Sequence, residues 1–180
     1  MAFIGINNLH YAKLTDDNST GCTYSTVTKI AGAITVDIQP SSNSNTLYAD
    51  DAPFAVATAL GEITVSIELA DLPLKVQADL LGHSISDGVM TASASDKVPY
   101  VAILFESAKH DGSTRYVKLL KGMFKEPQES PTTKTDSPEF VTSTIEGTFI
   151  AREYDQKWKL TADTSDATFT GAQNWYSSVE

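Results

Sequence analysis

Hydrophobic and polar residues alternate along much of this chain, most clearly from Gly61 to Gly82, GEITVSIELADLPLKVQADLLG. Ile63, Val65, Ile67 and Leu69 fall on one face of a strand, and Glu62, Thr64, Ser66 and Glu68 on the other. A short helix over about residues 72–81 follows. Asp71 is placed to accept from its free amides, Pro73 stands in its first turn and Gly82 supplies a left-handed stop. Residues 30–38 alternate in the same way, with Ile34, Val36 and Ile38 opposite Thr35 and Asp37. Ile4, Ile6 and the stretch Leu9 to Leu14 predict an extended segment ending at TDDNSTG.

In the second half, Val98 to Ser107 is apolar almost throughout, the pattern of a strand buried on both faces. KHDG, residues 109–112, is a hairpin turn. The return segment TRYVKLLKGMFK also fits a helical wheel, yet the turn pairs it with the apolar run and Gly122 weakens a helix interior, so a strand is expected. Residues 140–150 alternate, with Val141, Ile145 and Phe149 facing away from Thr142, Thr144 and Glu146, and Trp158, Leu160 and Ala162 mark a further strand. Residues 83–96 are turn-rich. Polar loops are expected near 39–53 and 125–139, and a C-terminal segment over 164–180 ends in Trp175, Tyr176 and Val179. The sum is six to nine strands and one helix: a mainly β chain, a β-sandwich or barrel with a flanking helix, in a single domain spanning 1–180.

Charge narrows the function classes. Thirteen Lys and Arg against twenty-three Asp and Glu leave a net charge of −10. Residues 1–90 hold ten acids and three bases, residues 91–180 thirteen acids and ten bases. Ordinary duplex binding by phosphate neutralisation is disfavoured. The start lacks the pattern of a secretory signal and no apolar run approaches a membrane span, so a cytoplasm-like compartment is expected and Asn18-Ser19-Thr20 is not read as a glycosylation site.

Chemistry-bearing patterns are sparse. Cys22 has no partner at disulfide or metal spacing, and His10, His83 and His110 form no ligand motif. Residues 16–21, DDNSTG, imitate the start of a calcium loop, but its twelfth position is Val27 where a bidentate Glu is needed, which leaves an Asx-rich turn. Asp50 and Asp51, adjacent in an extended segment, point to opposite faces and cannot flank one bond. Lys118, Lys121 and Lys125 with Tyr116 and Phe124 form a basic and aromatic stretch whose expected partners in so acidic a chain are carboxylates. Phosphate-loop, dinucleotide and nucleophile-elbow motifs are absent. No enzyme and no cofactor is expected.

YAKLT, IAGAITVDI, LYADDAPFAVATALGEITVSIELADLPLKVQADLLGH, VPYVAILFES, RYVKLLKGMF, KTDSPEF and NWYSSV, in this order from about Ile4 to Val179, resemble the major tail proteins of long-tailed, non-contractile bacteriophages. Ala52 stands where glycine is expected before Pro53-Phe54. The resemblance implies a virion tail subunit, made in the host cytoplasm, that assembles into stacked hexameric rings around a tape measure protein. Tail terminator and distal tail or baseplate proteins would be its other partners, viral DNA would pass through the bore, and no membrane is involved. It carries over no catalytic residues.

Two hypotheses follow. Glu62, Ser66, Glu68, Thr142, Thr144 and Glu146 line the bore, where an acidic wall lets DNA slide instead of trapping it; a tube with all six on its outer surface would reject this. Contacts between subunits involve Tyr48, Asp50, Asp51, Phe54, Lys125, Phe140, Trp175 and Tyr176, in the long or peripheral segments. The rival readings are the tube protein of a contractile, phage-derived injection device, and a carbohydrate-binding β-sandwich presenting Trp158 or Trp175 as an aromatic platform.

Overall fold

The computed structural model describes residues 2–49, 52–129, 133 and 141–179. Its elements in chain order are β1 (Phe3–Asn18), β2 (Gly21–Tyr24), β3 (Thr28–Lys29), β4 (Ala33–Ala49), β5 (Ala52–Leu69), α1 (Leu74–Leu81), β6 (Ser84–Ser86), β7 (Val89–Thr91), β8 (Val101–Lys109), β9 (Thr114–Phe124), β10 (Ser143–Phe149) and β11 (Lys159–Asp163). A 3-10 turn over Ala172–Asn174 precedes the C-terminal residues. The main sheet runs β2-β1-β8-β9-β10-β5-β4, with β3 added to β1 and β11 to β9. The mainly β architecture agrees with the sequence, and 114–124 is a strand despite its helical wheel. Its partner β8, joined through the turn at 109–113, supplies a ladder that a surface helix would forgo. Among the described residues no helix is long and apolar enough to cross a membrane.

The sheet has two cores because its middle strands are covered on both sides. Val101, Ile103 and Phe105 of β8 point into the main core with Ile63, Val65, Ile67, Leu69, Ile145 and Phe149. Ala102 and Leu104, one residue out of phase, join Ala12, Leu120 and Val179 in a second core on the opposite face. Strand β9 forks: its first half pairs β11, from Arg115↔Asp163 to Leu119↔Lys159, and its end pairs β10, from Gly122↔Phe149 to Phe124↔Gly147. Burying one Leu or Ile side chain in such a core contributes roughly 1.5–3 kcal/mol.

The helix packs Val76, Leu80 and Leu81 into the main core. Its start corrects the sequence reading. Leu74 is the first helical residue, Pro73 is the N-cap at φ −58°, ψ 138°, and no side chain caps the end. The residue before a proline is pushed out of the helical region, so Leu72 cannot extend the helix toward Asp71, which stands too far upstream to cap it. Asp79 ties the helix to β1 instead, accepting from the Tyr11 hydroxyl at 2.6 Å and from Lys13 Nζ at 2.5 Å. Gly82 closes the helix at φ 79°, as expected. A Cβ there would also lie 2.2 Å from the Lys97 carbonyl oxygen.

The expected loop near 39–53 is the second correction: 39–49 and 52–53 are strand. β4 and β5 pair from Ala33↔Leu69 out to Ala49↔Ala52, and among the described residues the part beyond Pro40↔Ile63 pairs with no other strand. The Ser/Asn run has poor strand propensity, but β5 provides its ladder, and strand propensity yields readily to context. Pro40 is accommodated because β4 is an edge strand and the register shifts just beyond it, at Ser41, whose hydroxyl donates to the Glu62 carbonyl at 2.8 Å. Two alternation details also change. Ile34 sits in a bulge and is exposed, so Ala33, Val36 and Ile38 face the core, and Val141 precedes β10 and is exposed. Residues 125–129 have no regular structure, and 164–171 are turns and coil. Most of the remaining segment to 139 lies outside the described residues.

Candidate functional site

Strand β5 presents two faces with a sharp division of labour. Its odd residues from Ile63 to Leu69 are buried. Its even residues Glu62, Thr64, Ser66 and Glu68 emerge on the other side of the sheet. The register of β10 sets Thr144 across from Glu68, Glu146 across from Ser66 and Thr148 across from Thr64. Thr142, just before β10, donates its hydroxyl to Glu68 Oε1 at 2.7 Å. All six residues expected to line a bore therefore share one surface.

That surface is wider than the sequence reading allowed. On the other flank β4 places Thr35 across from Glu68, Asp37 across from Ser66 and Gln39 across from Thr64. The face is thus a three-strand panel of four carboxylates, Asp37, Glu62, Glu68 and Glu146, spaced by hydroxyls and one amide. The alternation Thr35-Val36-Asp37-Ile38-Gln39 carried the signal, but only the β4–β5 register joins it to the same panel. Among the described residues none of these carboxylates forms an ion pair. Lys125 borders the panel: its backbone N–H donates to the Glu146 carbonyl at 2.8 Å, and it lines a cleft with Thr144 and Glu146. At about 10 Å in water one carboxylate and one phosphate repel by about 0.4 kcal/mol before screening, less than thermal energy.

Opposite Ser41 β5 carries one extra residue, and its two faces exchange there. Beyond it Ala59, Ala57 and Ala55, paired with Asn43, Asn45 and Leu47, continue the acidic face, while Leu60, Thr58 and Val56 continue the row of Ile63 as an exposed, largely apolar stripe. Phe54 is 75% exposed, and Tyr48 and Val56 are nearly as open. Nothing in the described subunit covers this arm. A family model for phage tail tube proteins matches residues 1–180.

The chain belongs to that family. No curated protein matches its sequence. It is a structural tail tube protein of the virion, one that self-assembles into a tube and associates with other tail proteins.

The remaining expected contact residues of this tube subunit divide. Asp50, Asp51 and Phe140 lie outside the described residues. Trp175 and Tyr176 pack on the chain's own sheet: Trp175 meets Tyr116 and Phe169 with ring centroids 5.6 and 5.7 Å away, and Tyr176 tilts over His10 at 4.4 Å and donates to Glu106 Oε2 at 3.2 Å. Burial and then the Glu106 carboxylate push the Tyr176 hydroxyl far above its ordinary range. Neither tryptophan forms an open platform, since Trp158 packs against the main core and the Trp175 indole nitrogen is buried. The lysine stretch does not form a basic patch. Lys118 is buried and donates to the Ser178 and Val179 carbonyls at 2.8 and 3.2 Å, whereas Lys121 pairs with Asp17 at 2.6 Å. The hairpin arm itself, above all Val56, Leu60 and Leu47, escaped the sequence reading because its alternation of apolar and small residues lacks the volume of a core strand.

Proposed function

We propose that this tube subunit closes into hexameric rings that stack around a tape measure protein, and that the panel of β10, β5 and β4 faces the bore through which viral DNA leaves the virion. The observation that carries this reading is the continuity of the panel with a free sheet edge. β4 is 17 residues long, its outer edge has no strand partner among the described residues, and its devices against pairing, the Ile34 bulge, Asp37 and Pro40, are confined to its first half. An edge of that length calls for another copy, and a ring of copies turns each acidic panel toward one channel. The exposed arm, with Tyr48 and Phe54 at its far end, and the root of the 125–129 segment with Lys125, supply contacts between subunits. Asp50, Asp51 and Phe140 belong to the same contact set in this reading, while Trp175 and Tyr176 would have to leave their own sheet to join it.

The test is electron microscopy of the purified protein, alone and with the tail components that start assembly. Hollow tubes of stacked six-fold rings, with Glu68 and Glu146 on the inner wall, are the expected outcome. Rings of another symmetry, or both glutamates on the outer surface, would overturn the assignment of the panel.

A further inference from the structure

His83 directly follows the helix stop Gly82, yet its ring is not a surface group: the side chain is 8% exposed. Each ring nitrogen faces a carboxylate. Nδ1 lies 2.8 Å from Asp96 Oδ2, and Nε2 lies 3.1 Å from Glu126 Oε2. A neutral imidazole has one N–H and one lone pair, so one of these contacts would set a lone pair against an anion. Only the imidazolium donates to both.

We propose that His83 is a protonation-dependent staple that fastens the start of the segment after β9 to the end of α1. Three elements meet at the ring. The 93–97 turn contributes Asp96, whose Oδ2 also accepts from the Ser93 N–H at 2.9 Å and is therefore fixed in place. The segment after β9 contributes Glu126, whose side chain is 60% exposed and has no such second anchor among the described residues. The helix end contributes the Ala78 carbonyl, which accepts the His83 backbone N–H at 3.1 Å, and Lys97 presents its main-chain carbonyl to Gly82. Asp96 and Glu126 are the charged side chains that act on the ring. Loss of the proton therefore keeps the Asp96 contact, through the Nδ1 hydrogen, and releases Glu126. The Asp96 hydrogen bond, working against the burial of the ring and joined by Glu126, holds the His83 pKa above its ordinary 6.5.

The staple is a property of the single subunit and goes beyond the tube reading. Its consequence for assembly, a looser contact segment at alkaline pH, rests on that reading. The test therefore uses the unassembled full-length protein. The His83 ring is followed by NMR against pH in the native chain and in Glu126→Gln, an exposed and conservative change. A midpoint above 6.5 that falls by about one unit in the variant is expected. A midpoint at or below 6.5, or one that Glu126→Gln leaves unmoved, would overturn the proposal. His83→Gln supplies a second readout. Because the folded pKa is raised, the stabilisation is full below the unfolded value and disappears as pH rises through the folded one. The difference in Tm between native chain and His83→Gln should shrink over that interval; a difference independent of pH would overturn the staple as well.

Discussion

Gly122 and Phe149 compete for one position. They face each other where β9 meets β10, and a Cβ on Gly122 would stand 2.4 Å from Phe149 Cγ. The ring of Phe149, fully buried and edge-on to Phe124 at 5.8 Å, lies directly over the glycine. Gly122 thus weakens a helix and at the same time makes room for the core of the sheet that replaces it.

Gly122→Ala should force that ring out of place and cost about 1–3 kcal/mol, the range for overpacked cores. Calorimetry would register a drop in Tm of several degrees for a chain of this size. An unchanged Tm would show that the fork tolerates the extra methyl.

The C-terminal residues are structural, and their removal should expose the second core. Without 171–180, Ala12, Ala102, Leu104 and Leu120 lose their cover and Lys118 loses both carbonyl acceptors. The truncated protein is expected to bind a hydrophobic dye and to unfold at lower denaturant. Lys118→Met keeps the volume, removes a cation whose pKa burial lowers, and should restore part of the stability of an otherwise marginal truncation.

Acid should weaken the subunit through Asp17. Burial raises the pKa of this carboxylate, but the Glu153 and Tyr154 backbone amides and Lys121 more than compensate, and the net shift is downward. A depressed folded pKa gives stability that is complete above the unfolded value near 3.9 and is lost as pH falls through the folded value. Asp155 behaves alike, held low by Arg152. Asp17→Asn should cost about 2 kcal/mol at neutral pH and flatten the stability profile below pH 4, as read by urea titration.

Charge reversal on the panel should separate folding from function. Glu68→Lys with Glu146→Lys leaves the core untouched; Glu146 is exposed and half-buried Glu68 gives up the Thr142 hydrogen bond, so the monomer should lose no more than about 1 kcal/mol. Tubes built from the double variant should retain DNA in a salt-dependent manner, where native tubes do not. Equal DNA retention by both would remove the panel from the bore.

The arm offers the complementary case. Phe54→Ser with Val56→Ser touches no core residue, and the subunit should fold with an unchanged Tm. Tube formation followed by light scattering should fall at least tenfold; normal assembly would mean that the arm's apolar row serves no contact.

Alternation by itself determined which residues of β5 and β10 are buried, that β8 is covered on both faces, and where α1 stops, because these depend on neighbours one to four positions away. Glu62, Ser66, Glu68, Thr144 and Glu146 could likewise be assigned to exposed strand faces from their spacing. The sequence could not show that they form one panel with Asp37, since that rests on a register between strands that no local pattern encodes. It also misread 39–49 as a loop: a Ser/Asn run becomes a strand only when β5 lies beside it to take its hydrogen bonds. The start of α1 passed from Asp71 to Pro73 for a local reason, the constraint a proline places on the residue before it. Tertiary structure alone decided that Trp175 and Tyr176 lie on their own sheet and that His83 stands between two carboxylates, 13 and 43 residues away. Such contacts depend on how separate strands pack, and packing distance is not written in sequence distance.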